Sequence, residues 1–393
     1  MPRPHILIVG ASIAGPATAF WLNRAGFDVT VVEQAPELRQ GGNGVDIRGE
    51  ALAVIERMGL SAGVRARALV NRGLRFVDRH DRQRARIATD NLERMVGSED
   101  IEITRGDLAH LLHEATASDV DYIFGDTVTT LTPETTGVDV TFARTAPRRF
   151  DLVVGADGIH SRVRRLAFGP EQNFRVFKQH YYAVASTGLH VGEQHWTTFY
   201  NEPGRSAAVD RGAPGMGLIN FIFHADRAID YDYRDTGQQR RLLREAFRDL
   251  RWHVPALLDA ADAAPDFYFD SLDQITMPAW STGRIVLVGD AAYCASPASG
   301  AGALLALTGA YRLAGELASG NSPHQALARY EAAQRPLVSS KQGHLFTYLT
   351  VPRTRFGICA RNLLVSSPLP RLLSRLQSDG SQALQNYAFQ RVE

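Results

Sequence analysis

The sequence predicts an α/β (α+β) fold, with a mainly parallel sheet under helices, an antiparallel sheet lobe, and a helical C-terminal segment. Three observations predict it. The chain up to Glu33 reads strand, glycine turn, helix, strand, the grammar of a nucleotide-binding βαβ unit. Two further short apolar runs, 150–154 and 285–288, each end at a glycine with an aspartate close behind, as strands buried on both faces of a parallel sheet do. Between them, residues 179–223 turn aromatic and alternate with period two, the pattern of antiparallel strands.

Taken in order, the strand 5–9 ends at Gly10, a helix follows over 13–24 with Gly26 as its stop, and a second strand covers 28–33. An amphipathic helix runs over 50–58 and stops at Gly59, and 74–77 with 85–88 forms a hairpin around the polar stretch 78–84. A helix is expected over 106–116, then antiparallel strands at 122–124, 128–131, 138–142 and 150–154, ending at Gly155. In 179–223, His180, Tyr181, Tyr182, Trp196, Phe199, Tyr200, Phe221 and Phe223 sit in period-two settings and mark a candidate substrate lobe. A charged helix over 238–251, a strand over 267–272 and the buried strand 285–288 follow, and from about 303 the chain is expected to be helical to its end. The expected domains are therefore 1–175 with 273–345, a sheet lobe over 176–272, and a helical segment over 346–393.

Composition narrows the function. The 393 residues are 45 % apolar and 22 % charged, which excludes disordered and collagen-like classes. Lys and Arg number 43 against 42 acids, a net charge of +1, so no overall field favours nucleic acid or an anionic membrane. Cys294 and Cys359 are too few for a disulfide framework or a cysteine zinc site, and a cytoplasmic protein is expected. Residues 6–22 after Arg3 imitate a secretory signal, but Gly10, Ser12, Gly15 and Pro16 interrupt them and a strand follows. No apolar run reaches the ~18 residues of a membrane span.

Three glycine–acid sites carry the chemistry. In Gly10-Ala11-Ser12-Ile13-Ala14-Gly15, backbone can approach a pyrophosphate at a helix N-terminus, where free N–H groups and the dipole favour anionic oxygens. Ser12 stands where a GxGxxG motif has its middle glycine, and Glu33 can accept both hydroxyls of an adenosine ribose, which disfavours a 2′-phosphate. The alternative is a βαβ turn with no ligand. Residues 151–165 break a buried strand at Gly155, turn at Asp157-Gly158 and start a basic helix at Ser161; as a bare turn, Asp157 would simply cap that helix. In 283–317, Asp290 sits where a buried strand ends, and Gly300-Ala301-Gly302 opens a helix whose N–H groups can face an anion.

The order of these sites, with Arg105-Gly106-Asp107-Leu108 between the first and second, with Ser161 and Arg164 after Asp157, and with Pro297 before the Gly300/Gly302 pair, resembles the FAD-dependent aromatic hydroxylase family. These are single-component flavin monooxygenases, typified by p-hydroxybenzoate hydroxylase and the tetracycline-inactivating monooxygenases. The resemblance spans residues 5 to about 340. It implies a Rossmann-like FAD-binding domain in which Gly10, Ser12, Ala14, Gly15, Glu33 and Gln34 hold the adenosine and pyrophosphate. Arg39, Gly44 and Asp46 would lie beside the flavin, and Arg105 would reach FAD from the next helix. Asp157 would serve both FAD and NAD(P)H, Asp290 would bind the ribityl chain, and Pro297, Gly300, Gly302 and Ala303 would surround the isoalloxazine. The family often has His after its GDAA, Gln between the two glycines, then Asn and Asp in the helix; this chain has Tyr293, Ala301, Leu304 and Gly309.

The implied reaction is flavin-borne. Reduced by NADPH or NADH, the flavin adds O2 at C4a, and the hydroperoxide transfers one oxygen atom to a phenolic, polycyclic or polyketide-like substrate. No second nucleotide-binding βαβ unit is visible, which suits this family. No side chain is identifiable as a catalytic base; Tyr182, Tyr200, Arg211 and Phe221 are the candidate substrate residues, with a core role as the alternative for the aromatics. His110, His113 and Glu114 lack a recognisable further ligand, so no metal is expected. The implied assembly is a monomer or homodimer. The same chassis also serves epoxidases, halogenases and reductases, although a WxWxIP segment is absent, and a flavin-binding protein without turnover is the non-enzymatic alternative.

Overall fold

The computed structural model describes residues 3–38, 41–88, 100–212, 215–320, 322–342, 350–367 and 384–389. Its main sheet runs in the order Ser281–Thr282, Ile285–Leu287, Leu152–Gly155, His5–Val9, Asp28–Glu33, Asp121–Phe124. Every pairing is parallel except the first. Leu7, Ile8, Val31, Val153, Val154, Val286 and Leu287 are fully buried, which explains why these strands read as continuous apolar runs rather than as alternation. The helices Ala14–Arg24 and Gly302–Ala318 pack against each other beside this sheet. The mixed α/β fold is as the sequence predicts.

The four strands expected as one antiparallel set divide in two. Asp121–Phe124 extends the main sheet parallel to Asp28–Glu33, and only Val128–Pro133, Val138–Phe142 and Arg148–Phe150 pair antiparallel. The run 150–154 breaks at Asp151, whose Oδ2 accepts a hydrogen bond from the His5 N–H at 2.7 Å. That polar contact turns the chain from the small sheet into the parallel one.

The lobe sheet has seven strands in the order Tyr268–Ser271, His180–Thr187, Gly217–His224, Arg205–Asp210, Thr197–Glu202, Gly73–Val77, Gln83–Ala88. The predicted hairpin therefore completes the lobe, its strand Gly73–Val77 running parallel to Thr197–Glu202. Helices Thr236–Phe247 and Val254–Ala263 cover one face, where Phe247, Leu243 and Leu257 meet Tyr181, Phe221 and Phe223. The single helix expected over 238–251 ends at Phe247, and Pro255 in the first turn marks the start of the second.

The C-terminal portion is helical at Gly302–Ala318, Pro323–Lys341 and Arg355–Ser366, but residues 384–389 have no regular structure. There the Tyr387 ring seats on Gly315, where a side chain would collide with it, and its hydroxyl donates to Glu316 Oε1 at 2.8 Å. An aromatic strap, with Phe389 4.6 Å from the Trp21 ring, thus lies across the two packed helices. Among the described residues no helix is long and apolar enough to cross a membrane.

Candidate functional site

The first glycine turn is shaped by close packing. Gly10 has φ +107°, and a Cβ there would lie 2.6 Å from the Ala156 carbonyl oxygen; one on Gly15 would fall on the Gly10 carbonyl oxygen itself. The helix Ala14–Arg24 starts after Ile13 with no side-chain cap and no acid in its first turn, so its leading N–H groups and its dipole are left for an anion. Glu33 braces the turn: Oε2 accepts from the Ala11 N–H at 2.8 Å and Oε1 from the Ala35 N–H at 2.9 Å. Gln34 is exposed beside it, Ser12 Oγ accepts from Arg105 Nε at 3.0 Å, and Arg39 lies outside the described residues.

The third site comes to the same place. Asp290 follows Gly289, where a Cβ would lie 3.0 Å from that of Ala14. Pro297–Ser299 leads into Gly300, whose left-handed φ of 60° turns the chain into Gly302–Ala318, again a helix without a side-chain cap or an acid in its first turn. A Cβ on Gly300 would lie 3.0 Å from Asp46 Oδ2, while one on Gly302 would meet nothing within 4 Å, an open cradle. Ala303 is buried behind it. Asp46 stands opposite Glu102 in the strand pair Gly44–Ile47/Ile101–Thr104, and Gly44 leaves room for the Glu102 carboxylate. Arg48 Nη2 donates to the Ser299 carbonyl at 3.0 Å, while Arg48 Nε and Asn43 Oδ1 are buried without a protein partner. Residues far apart in sequence therefore meet beyond the carboxyl ends of His5–Val9, Leu152–Gly155 and Ile285–Leu287, where open α/β sheets bind their ligands.

Asp157 is committed differently. Its carboxylate accepts from Ser161 Oγ at 2.5 Å, Arg162 N–H at 2.7 Å and Val163 N–H at 3.1 Å. It thus braces the start of Arg162–Ala167, whose N-cap is Ser161, its Oγ accepting from the Arg164 N–H at 2.9 Å, and burial pushes the Asp157 carboxyl up against the pull of these bonds. The buried Arg164 ties this helix to the third site, Nη1 donating to the Ala291 carbonyl at 2.9 Å.

Two departures from the family pattern explain each other. A Cβ on Gly309 would fall on the Tyr293 hydroxyl, so the tyrosine fills the space that the missing side chain leaves. Tyr293 Oη bonds Tyr330 Oη at 2.9 Å, which in turn donates to the Leu287 carbonyl at 3.1 Å. Cys294 beside it is a buried thiol pushed well up by desolvation.

The candidate substrate residues do not share a face. Tyr200 and Phe221 point into the lobe core, 5.8 Å from the Trp252 ring and 4.8 Å from the Phe247 ring. They are structural, because period-two alternation fixes two faces without saying which is covered by helices. Arg211 sits at the rim, Nη2 3.1 Å from His190 Nδ1. Tyr182 alone faces the glycine loops: its ring lies 5.5 Å from that of Tyr268, and the Arg105 charge acts on its hydroxyl. Cross-strand register puts Val184, Asn220 and Ile222 on the Tyr182 face; Phe199, further along that face, is buried against Phe76, 5.3 Å from its ring.

A polar cluster escaped the sequence. Asn71 Nδ2 lies 3.0 Å from Thr197 Oγ1, 3.3 Å from Asp210 Oδ2 and 3.5 Å from Glu102 Oε2, its two N–H groups shared among these acceptors, and so joins the lobe to the Gly44–Ile47 sheet. Burial, then the Asp210 and Asp46 charges, push Glu102 up to about 8. Burial also raises Asp46. No group of three or more metal-ligating side chains is gathered among the described residues.

A family model described as FAD binding domain matches residues 3–341. The chain is 42 % identical over 339 residues to an uncharacterized protein of Mycobacterium tuberculosis, covering 86 % of this chain and 91 % of the relative. It is 34 % identical over 345 residues, 86 % of each chain, to a flavin-dependent monooxygenase of Legionella longbeachae. Among solved structures, the tetracycline destructase Tet(51) matches with a TM-score of 0.82 at 32 % identity, over 98 % of this chain and 100 % of its own. HpxO of Klebsiella pneumoniae, solved with FAD and uric acid, shares the fold at a TM-score of 0.74 and 20 % identity, over 95 % of this chain and 96 % of its own.

Proposed function

Because the chain belongs to the FAD-dependent monooxygenases of the aromatic-hydroxylase type, we propose that it takes electrons from NADPH or NADH and places one oxygen atom of O2 in a phenolic or polycyclic aromatic small molecule. The convergence of residues 10–15, 44–48, 105, 157 and 289–303 on the carboxyl edge of the parallel sheet carries this reading. The residues present fit FAD: two uncapped helix starts, a cradle at Gly302 that a larger residue would fill, and two buried polar atoms, Asn43 Oδ1 and Arg48 Nε, without partners.

In this reading Gly10, Ser12, Ala14 and Gly15 receive the pyrophosphate, Glu33 and Gln34 the adenosine, and Asp290 the ribityl chain. Gly44, Asp46, Arg105, Pro297, Gly300, Gly302 and Ala303 border the flavin, and Asp157 shapes the neighbouring turn. Bound FAD supplies the electrons and the site of O2 activation. The protein orients the substrate and keeps water out. The face formed by Tyr182, Val184, Asn220 and Ile222 offers apolar and aromatic area with one amide, which suits a flat aromatic or polyketide-like molecule. Glu102, whose carboxyl burial pushes up to about 8, accepts from Asn71 Nδ2 at the lobe side of the same space. The mutual fit of Tyr293 and Gly309 supports an intact site rather than a flavin-binding relic.

The test is a panel of phenols, quinones and polyketides with NADPH or NADH under labelled O2. Substrate-stimulated nicotinamide oxidation, with one labelled oxygen atom in the product, is the expected result. FAD-loaded protein whose nicotinamide oxidation no panel member stimulates contradicts the aromatic reading.

A further inference from the structure

We propose that His160 is a positioning residue: it ties the turn after residue 157 to the edge strand of the lobe and, through Asp270, sets the Tyr268–Tyr182 pair that faces the FAD loops. The inference rests on the FAD site proposed above and adds to it the element that holds the lobe in place.

Both ring nitrogens of His160 meet carboxylates, Nδ1 at 3.0 Å from Glu171 Oε1 and Nε2 at 2.9 Å from Asp270 Oδ2. Carboxylates only accept, so both bonds together need the doubly protonated imidazolium. The side chain is 18 % exposed and that of Asp270 3 %. The Tyr233 ring stacks on the imidazole at 4.2 Å with an interplanar angle of 9°, as a cation over an aromatic face favours.

Three segments meet on this one cation. His160 belongs to the turn that Asp157 braces. Glu171 lies in the short helix Glu171–Asn173, where Arg164 Nη2 donates to it at 3.0 Å and Arg175 stands 3.9 Å away. Asp270 is on the edge strand Tyr268–Ser271 and also accepts from Tyr231 Oη and Tyr268 Oη, each at 2.9 Å, and from the Ser271 N–H at 2.8 Å. The Tyr268 ring lies 5.5 Å from that of Tyr182, and the Arg105 charge acts on both hydroxyls. Arg105 in turn holds Ser12 in the first glycine turn. Hydrogen bonds thus lead from His160 through Asp270 to Tyr268, whose ring packs beside Tyr182 on the side of the lobe that faces the proposed flavin.

The groups around His160 are Glu171, Asp270, Arg164, Arg175, Tyr231, Tyr233 and Tyr268. Burial pulls the ring's pKa down, but the bonds and charges of Asp270 and Glu171 win and hold it up to about 9. A neutral ring has one N–H and must release one carboxylate. Above its midpoint, therefore, the tie between turn and lobe weakens, and Asp270 loses a donor that keeps it aligned with Tyr268.

The test uses FAD-loaded wild-type protein with H160Q, E171Q and Y268F, read by histidine NMR titration and by flavin fluorescence, from neutral pH to beyond the midpoint. The expected wild-type result is a His160 midpoint near 9 and a fluorescence step at the same pH. E171Q moves both downward together, H160Q loses the step, and Y268F loses the step while its histidine still titrates high. A His160 midpoint at the ordinary histidine value, a fluorescence signal flat through the midpoint, or an H160Q protein that keeps the step overturns the inference. A chain that refuses FAD overturns the proposed site first, a failure distinct from an FAD-loaded chain whose fluorescence ignores pH.

Discussion

Gly309→Ala puts a methyl group onto the Tyr293 hydroxyl, well inside van der Waals contact, with Val288 Cγ2 3.4 Å away. The tyrosine has no room to turn: it is 1 % exposed, its ring lies 4.4 Å from that of Trp280, and its hydroxyl is held by Tyr330. Overpacking of this kind costs about 1–3 kcal/mol, partly offset by the gain of about 1 kcal/mol when alanine replaces a glycine inside a helix. Tyr293→Phe removes the obstructing atom, leaving Cζ at 3.3 Å, and forfeits a hydrogen bond worth about 1 kcal/mol. In the double variant the collision is gone and the helix gain remains, so it should be close to wild type in stability. The single variants then predict a coupling of about 2 kcal/mol, well above the ~0.5 kcal/mol scatter of independent sites. Urea denaturation of the four proteins, followed by tryptophan fluorescence, reads it directly. Additive single effects refute the reasoning that Tyr293 and Gly309 replace each other's space.

Gly15→Ala drives a methyl group into the Gly10 carbonyl, a backbone group that cannot swing aside, and should strip the purified protein of its flavin absorbance; a fully yellow variant counts against the pyrophosphate turn. Glu102 ionises near 4.5 when unfolded but only near 8 in the fold. The folded state therefore holds the extra proton between those values, and stability falls as pH rises through that window. Glu102→Gln mimics the protonated form, so its stability in thermal melts should match wild type at acidic pH and exceed it above pH 8, by a few kcal/mol at most; a constant difference across pH refutes this. Asp157→Ala removes the brace of Arg162–Ala167 and should cost about 1–2 kcal/mol in denaturation experiments, whereas a neutral effect would mean that the aspartate works on a ligand alone.

The βαβ unit ending at Glu33 was legible because each part carries a local signal: a doubly buried strand, a glycine turn, a helix stopped at Gly26, an acid at the strand end. What alternation cannot encode is which side of a strand receives a helix, and Tyr200 and Phe221 fell to the wrong side for that reason. Helix Val254–Ala263 has alanine at Ala260, Ala261 and Ala263, and its apolar side follows a charged helix closely enough to blur into it. The contact of Asp46 with Gly300, and of Glu102 with Asn71, depends on register and lobe placement, which belong to the tertiary fold and not to any window of sequence. The resemblance supplied the order of the FAD residues; the geometry adds the reason Tyr293 and Gly309 depart from it together.

Flavin titration into protein stripped of cofactor, followed by quenching of tryptophan fluorescence, addresses the account most directly. Saturation at one FAD per chain, with affinity lowered at least tenfold, about 1.4 kcal/mol, by Glu33→Ala and again by Asp290→Ala, is what the shared site requires. Colourless protein with no saturable response, or one whose binding ignores both carboxylates, would show that these loops do not meet around one cofactor.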